Sequence, residues 1–323
     1  MLYSGKDLRK LIIPLIIEQI LAIAVGMADT IMVSAAGEAA VSGVSLVDTV
    51  NILLINVFSA LATGGAVVSG HFLGKKKRED ACKSAWQILL FATLLALVIS
   101  VIFITAHDPL LRLMFGKIED DVMKASKTYL IITTYSFVAL AIYNSCAALF
   151  RAMNESKVTM WVSLLMNVIN VVGNAICIYG LHMGVAGVAI PTTISRYVAA
   201  VVIFLLMFQP KKEINLCGQI TWKFNGSLIK KILYIAIPNG LENSMFQLGK
   251  ILVMSAVATM GTSAIAANAV TGTIANWNNL PGFAINLAIV SVVSVCVGAG
   301  RYDQARYYTR RLCRDAMIGI GCL

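Results

Sequence analysis

The sequence predicts an all-α polytopic membrane protein. Three features carry that prediction: scarce charge, apolar runs of bilayer length, and basic residues confined to alternate loops. Of the 323 residues, 59% are hydrophobic and 13% charged, against roughly 25% charged in a soluble domain. A chain solvated by lipid can do without that polar surface. The runs Ile88–Ala106, Tyr129–Phe150 and Ile190–Phe208 approach or reach the ~20 residues with which a helix crosses the hydrocarbon layer. Helix is the required form there, because lipid offers backbone groups no hydrogen-bond partners.

The net charge of +10 invites a polyanion partner, but its placement argues against nucleic acid. Twenty of the 26 basic residues fall at the N-terminus (Lys6, Arg9, Lys10) or on every second loop. Those loops carry Lys75–Arg78 with Lys83, then Arg151 and Lys157, then Lys211, Lys212, Lys223, Lys230 and Lys231, and finally Arg301, Arg306, Arg310, Arg311 and Arg314. The opposite loops hold only Arg112, Lys117, Lys124 and Lys127, while Arg196 and Lys250 fall inside apolar runs. This is the positive-inside pattern, which predicts a cytoplasmic N-terminus. The seven cysteines are scattered without a C-x-x-C pair and suit no metal or disulfide framework. No cleavable leader is apparent, since the first apolar stretch is interrupted by Glu18 and Asp29.

Nine spans follow in order, at about 8–34, 44–73, 84–106, 124–150, 158–180, 186–208, 229–258, 268–298 and from 313 onward. The polar stretch 209–228 is expected to be a cytoplasmic linker and hinge between two halves. Those halves emerge from an internal repeat. Shifting the sequence by 224 aligns Ile13 with Ile237, Pro14 with Pro238, Glu18 with Glu242, Val33 with Val257, Gly37 with Gly261 and Ala40 with Ala264. It also aligns Thr49 with Thr273, Ala60 with Ala284, Val68 with Val292, Gly74 with Gly298 and Ala81 with Ala305, without a gap. Six spans separate the copies, an even number, so both point the same way. A parallel repeat implies lobes related by a pseudo-twofold axis along the membrane normal, with a substrate site between them. The expected division is a six-helix N-lobe at 1–208, the linker at 209–228 and an incomplete C-lobe at 229–323. The ninth run stops eleven residues in, at Leu323. The expectation is therefore a chain carrying about nine of twelve helices.

Ionisable groups inside spans cost about 2.5–3.5 kcal/mol each on an insertion scale, and so mark functional sites by default. Glu18 and Asp29 lie eleven residues, three turns, apart in the first span. With Pro14, Ala22 and Gly26 they form one small and polar stripe. Pro14 and Pro238 each leave a carbonyl unpaired and allow a bend. Asp48, near the start of the second span, is expected at the outer interface and solvated. In the fifth span Asn167, Asn170 and Asn174 share a face and either bind an ion or substrate or tie helices together.

Five segments in order carry a family resemblance: ADTIMV…GEAAVSGVSL (Ala28–Leu46), LFRAMNESKVTM (Leu149–Met160), NVINVVGNAICIYGLHMGVAGVAIPTTIS (Asn167–Ser195), IPNGLENSMFQLGK (Ile237–Lys250) and GAGRYDQAR (Gly298–Arg306). Together they resemble multidrug and toxic compound extrusion (MATE) transporters over the whole chain. The resemblance implies two six-helix lobes around a central cleft, and export of small-molecule organic cations in exchange for Na⁺ or H⁺. On it, Asp29 matches the first-helix acid of ion coupling, Asn170 and Asn174 its fifth-helix partners, and Thr192 a hydroxyl of the same network, with a Na⁺ site expected near Asp29. Asn144 matches a fourth-helix amide of the cleft. Glu18, Glu242 and Gln247 are expected to line the substrate cavity, with Pro14, Gly26 and Pro238 as helix hinges. Two departures stand out: Asn174 occupies a position where some members carry an acid, and Glu242 lies a turn before the family's seventh-helix glutamate, nearer to which sits Gln247. No cofactor other than the coupling ion is implied, nor any enzyme activity. The protein is expected as a monomer in the plasma membrane. A lipid-linked oligosaccharide flippase is the alternative; it would need a cationic cavity, whereas the intramembrane charges here are mainly acidic.

Overall fold

The computed structural model describes residues 2–115, 119–218, 222–258, 271–272 and 274–322. Lys117 and the repeat partners Gly261, Ala264 and Thr273 lie outside them. Among the described residues every regular element is a helix. In chain order these are α1 (Gly5–Ser34), α2 (Glu38–Gly74), α3 (Arg78–Thr105), α4 (His107–Phe115), α5 (Asp120–Thr134), α6 (Phe137–Ala152), α7 (Ser156–Ala175) with a π-helical turn at Ile176–Gly180, α8 (Ala186–Leu206), α9 (Gly226–Ala258), α10 (Leu280–Gly298) and α11 (Tyr302–Cys322). Helical residues 271–272 and 274–278 precede α10. α1 opens on a capping box: Asp7 N–H donates to Ser4 Oγ at 3.2 Å and Ser4 N–H to Asp7 Oδ2 at 2.9 Å.

Six of these helices are long and apolar enough to cross a membrane, and up to seven if a bent pair is one span. The differences from the nine expected spans have local causes. The fourth, expected unbroken over 124–150, is α5 and α6, bent by 50° at Tyr135 and Ser136. Carbonyls near the bend are capped from neighbouring helices: Ile132 O by Thr193 (3.0 Å), Thr134 O by Ser100 (3.3 Å) and Tyr135 O by Tyr197 (2.8 Å). α9 carries Asn239, Glu242, Asn243 and Gln247 among its apolar residues and is too polar to count by composition alone. The ninth helix starts at Tyr302 rather than 313, and its first half is the basic stretch Arg306–Arg314. The short α4 was not foreseen.

The helices obey the repeat in space. α2 and α10 end at Gly74 and Gly298, and α3 and α11 begin at Arg78 and Tyr302, each pair 224 apart. α2 crosses α10 backbone to backbone. A Cβ on Gly74 would collide with Val295 O, and one on Gly298 with His71 O. These two collisions exchange under the shift. Gly70, between them, faces Ser294, its own repeat partner. A pseudo-twofold axis therefore passes through this crossing. The flanking helices swap sides about it. α9 packs on α2, where a Cβ on Gly64 would lie 2.6 Å from Ile232 O. α1 correspondingly packs on α10, joining Leu8, Leu11 and Leu15 to Ala284, Ala288 and Val292 in one core. Tyr3 locks the same interface from the N-terminus: Tyr308 Oη donates to its carbonyl at 2.8 Å and accepts from its N–H at 3.1 Å.

The stretch after α8 is not a free hinge where it is described. Arg78 donates to the carbonyls of Glu213 (3.0 Å), Pro210 (2.9 Å) and Lys212 (2.6 Å). Ile214 and Leu216 are fully buried. Gln87 accepts from Asn225 N–H at 2.9 Å and donates to Lys223 O at 2.9 Å. The strand of polar residues that suggested mobility is strapped to α3 through its backbone carbonyls, which composition does not reveal. Residues 219–221 lie outside the described residues.

The crossing makes a testable demand. Gly74→Ala and Gly298→Ala should each destabilise the protein by about 1–3 kcal/mol, the usual range for overpacking. Gly26→Ala, with nothing within 4 Å of its added Cβ, should be neutral or stabilising by roughly 0.5 kcal/mol. Thermal unfolding followed by fluorescence-detected size exclusion separates these outcomes.

Candidate functional site

α7 is amphipathic in reverse. Of its seven buried positions all but Val162 are polar: Ser156, Thr159, Ser163, Asn167, Asn170 and Asn174 recur at helical spacing, while Trp161, Val168 and Val172 face outward. A lipid-facing helix can afford apolar residues outside, so its inner face is free to carry hydrogen-bonding groups. That face receives α1. Because Pro14 has no N–H, the Lys10 carbonyl loses its helical partner. Ser156 Oγ fills in, shared between Lys10 O at 3.2 Å and Leu11 O at 2.8 Å. One turn on, Thr159 Oγ1 donates to Glu18 Oε2 at 2.9 Å. Four turns further, Asn174 Nδ2 donates to Asp29 Oδ1 at 2.8 Å. The stripe of α1 thus meets the stripe of α7 along its length, and α1 stays one continuous helix through Pro14 and Gly26.

The network around Asp29 continues into α8. Asn174 Nδ2 also reaches Asn170 Oδ1 at 3.4 Å, Asn170 Nδ2 donates to Thr192 Oγ1 at 2.9 Å, and Thr192 Oγ1 donates to Val188 O at 2.8 Å. Gly173 permits this approach: a Cβ there would stand 2.7 Å from Pro191 Cβ. Asp29, Asn170, Asn174 and Thr192, four positions from three helices, therefore form one connected chain. Asn174 is fully buried, yet its Oδ1 has no donor. A buried acceptor without a partner is rare and calls for an explanation. Beside a half-buried carboxylate, it suits a hard cation that takes oxygen ligands. Among the described residues no cluster of three His, Cys, Asp or Glu forms a transition-metal site.

The other charged and polar positions singled out in the sequence fall as follows. Glu18, expected in the substrate cavity, is 8% exposed and held by Arg151 Nη1 at 3.3 Å as well as by Thr159. Arg151 counted as a loop charge in the sequence; it ends α6 and turns inward because a buried carboxylate requires a counter-charge. On α9, Glu242 and Pro238 are exposed and Gln247 is half-buried. Among the described residues α7 covers α1, and α9 packs chiefly on α2 and α3. Asn144 is half-buried on α6 with Nδ2 unpartnered, outside the Asp29 chain. Asp48, expected in solvent, is half-buried and accepts a hydrogen bond from Asn51 Nδ2 at 3.3 Å. Arg196, inside an apolar helix, donates to Ser136 Oγ at 2.8 Å. The spacing Asp48–Asn51, three residues on a helix face, was the available signal for the first. Ser136 had none.

Comparison with known proteins follows the same pattern. The MatE family model matches residues 14–176 and 238–320, so its two segments open on Pro14 and Pro238, the pair aligned by the repeat. The chain is 28% identical over 297 residues to "Uncharacterized transporter YisQ" of Bacillus subtilis, covering 90% of this chain and 64% of that protein. It is 25% identical over 303 residues to "Probable multidrug resistance protein NorM" of Thermotoga maritima, covering 93% and 64%. The chain thus spans just under two thirds of the length of these relatives. Among solved structures, an outward-facing multidrug resistance MATE family transporter of the MOP superfamily superposes with a TM-score of 0.86 at 21% identity, over 97% of this chain and 69% of the other. A MOP superfamily transporter from Pyrococcus furiosus, described as having a binding pocket of reverse polarity, gives 0.87 at 21% identity over 97% and 69%.

Removing one partner of a buried ion pair costs about 3–5 kcal/mol, because the other charge stays behind. Arg151→Met should therefore lower thermal stability sharply, and adding Glu18→Gln should recover most of the loss. Unfolding of purified single and double variants checks this.

Proposed function

The chain belongs to the MatE family, and on that premise we propose that the whole protein is a secondary active antiporter that exports small organic cations in exchange for Na⁺ or H⁺. The observation that carries this reading is the buried chain Asp29–Asn174–Asn170–Thr192 with its orphaned Asn174 Oδ1. On one connected chain lie a carboxylate and an amide oxygen without a donor, whose bonding a monovalent cation, or a proton on Asp29, would complete. The names of the curated relatives, "multidrug resistance protein" among them, support a drug cargo. A carboxylate with no ion-pair partner among the described residues, Asp29, supports a cationic cargo over a pyrophosphate-bearing lipid.

The cycle follows from electrostatics. In one state Asp29 is held by Asn174 across the α1–α7 seam. Binding an ion neutralises it, removes its demand for that donor and frees the end of α1 beyond Gly26 to move, with Pro14 as the lower pivot where Ser156 already stands in for the missing helical bond. The change in α1 reshapes the N-lobe side of the cleft and releases cargo outward; loss of the ion inward resets it. Such coupling requires the ion to bind the two states with different affinity. In this reading residues 1–208 and 229–323 are the two lobes, Asn144 and Gln247 face the cleft, the N-terminus is cytoplasmic and the protein acts as a monomer in the plasma membrane.

The direct test is ethidium efflux from proteoliposomes holding the full-length protein, driven in turn by a Na⁺ gradient and by a pH gradient. Asp29→Asn should reduce efflux at least tenfold under whichever gradient drives the parent, and Asn174→Leu should weaken the apparent affinity for that ion. Parental efflux by Asp29→Asn would refute the scheme.

A further inference from the structure

Where α2 ends and α9 begins, the two helices border a cleft of about 730 Å³. His71 and Lys75 line it from the end of α2, and Lys230 and Lys231 from the first turns of α9. Val68, Phe72 and Ile235 add an apolar wall, and the exposed Tyr234 completes the lining. We infer that this cleft binds the phosphate-bearing headgroup of an anionic phospholipid. The site goes beyond the exchange scheme and uses none of its residues.

The charge comes first. Among the described residues no carboxylate pairs with Lys75, Lys230 or Lys231, whereas Lys83, Lys127 and Lys212 each meet an acid, Glu79, Asp108 and Glu155. Three unpaired ammonium groups around one cavity attract an anion, more so where neighbouring hydrocarbon weakens screening. α9 adds its N-terminal end. Asn225 Oδ1 caps that end by accepting from the Leu228 N–H at 3.2 Å. This leaves the first-turn N–H groups of Gly226 and Ser227, two residues that also line the cleft, without a helical partner. Open space lies beside Gly226. Free N–H groups at the positive end of a helix suit a phosphate.

The basic lining is peculiar to one half. Under the 224 shift Lys230 corresponds to Lys6, but Lys75 corresponds to Ala299, Lys231 to Asp7 and His71 to Val295. Ser227 corresponds to Tyr3, whose backbone is tied to the Tyr308 hydroxyl. Positive charge that served orientation alone would have no reason to converge on one cavity.

The apolar wall chooses between sources of the phosphate. Inorganic phosphate would use the lysines and the helix end and leave Val68, Phe72 and Ile235 idle. A phospholipid uses both, with its headgroup at the lysines and its first acyl carbons on the apolar wall. Its level in the membrane fits as well. Trp222, Phe224 and Tyr234, all within a few residues of the cleft in sequence, are exposed, as aromatic residues are at a membrane interface. On the orientation proposed above this is the cytoplasmic interface, where basic pockets between spans take anionic headgroups.

Native mass spectrometry of the delipidated full-length protein, titrated with phosphatidylglycerol or phosphatidylcholine, tests the site without any ion gradient, so its outcome is independent of the antiport reading. The parent should retain phosphatidylglycerol about tenfold more tightly than phosphatidylcholine. Combined Lys75→Gln, Lys230→Gln and Lys231→Gln should abolish that preference, since each lysine near an anionic headgroup adds roughly fivefold. Combined Lys6→Gln, Lys10→Gln and Lys157→Gln, which removes the same charge from the same face, should stay within about twofold of the parent. Should the first triple variant not fold, Ser227→Glu decides: an acid in the first turn favours the helix but repels a headgroup, and should weaken phosphatidylglycerol binding about tenfold. No preference in the parent, equal losses in both triple variants, or parental binding by folded Ser227→Glu would overturn the assignment. Inorganic phosphate at millimolar concentration should not displace the lipid; if it does, and raises the melting temperature as much as the lipid in a lysine-dependent way, the cleft is a free-phosphate site and the lipid assignment falls.

Discussion

Lipid supplies no hydrogen bonds, so each polar group brought into these helices has to find its partner on a neighbouring helix. The seam between α1 and α7 is where that demand is concentrated. Ser156, Thr159 and Asn174 rise along one face of α7 and meet, in order, the carbonyls freed by Pro14, the carboxylate of Glu18 and the carboxylate of Asp29. The lower contacts are closed and structural, reinforced by Arg151. The upper one ends in an acceptor with nothing to accept, the Asn174 Oδ1. One seam thus combines a closed lower segment with an upper one that leaves an acceptor open.

The lobes are joined by interlocking rather than by a flexible tether. Gly70 and Gly74 of α2 and Gly298 of α10 let two backbones touch on the pseudo-twofold axis, and α1 and α9 each pack on a helix of the opposite half. The described residues after α8 are tied down by Arg78 and Gln87.

The repeat does not extend to every break in the helices. α2 runs unbroken through Val57, whereas α10 starts afresh at Leu280 with Pro281 beside it, since a proline lacks the N–H to continue the preceding turn. The repeat does preserve the crossing glycines and the helix ends beside them, which serve packing shared by both halves.

Much of the fold was legible because the signals are local or periodic. Long apolar runs, alternate basic loops and the 224-residue shift require only one-dimensional counting, and they place the helices and their pairing. The candidate site was half legible: Asp29, Asn170 and Asn174 stand out as polar residues on apolar helices, and Thr192 came with the family resemblance. What counting could not reach was partnership. Arg151 looked like a loop charge and became the counter-ion of Glu18; Asp48 looked solvated and became half-buried with Asn51; the linker looked loose and became a strap. A side chain's spacing along its own helix is a property of the sequence, but the charge or donor it meets comes from a helix more than a hundred residues away in several of these pairs. Only the packed helices decide whether a buried acid is neutralised, hydrogen-bonded or left to bind an ion.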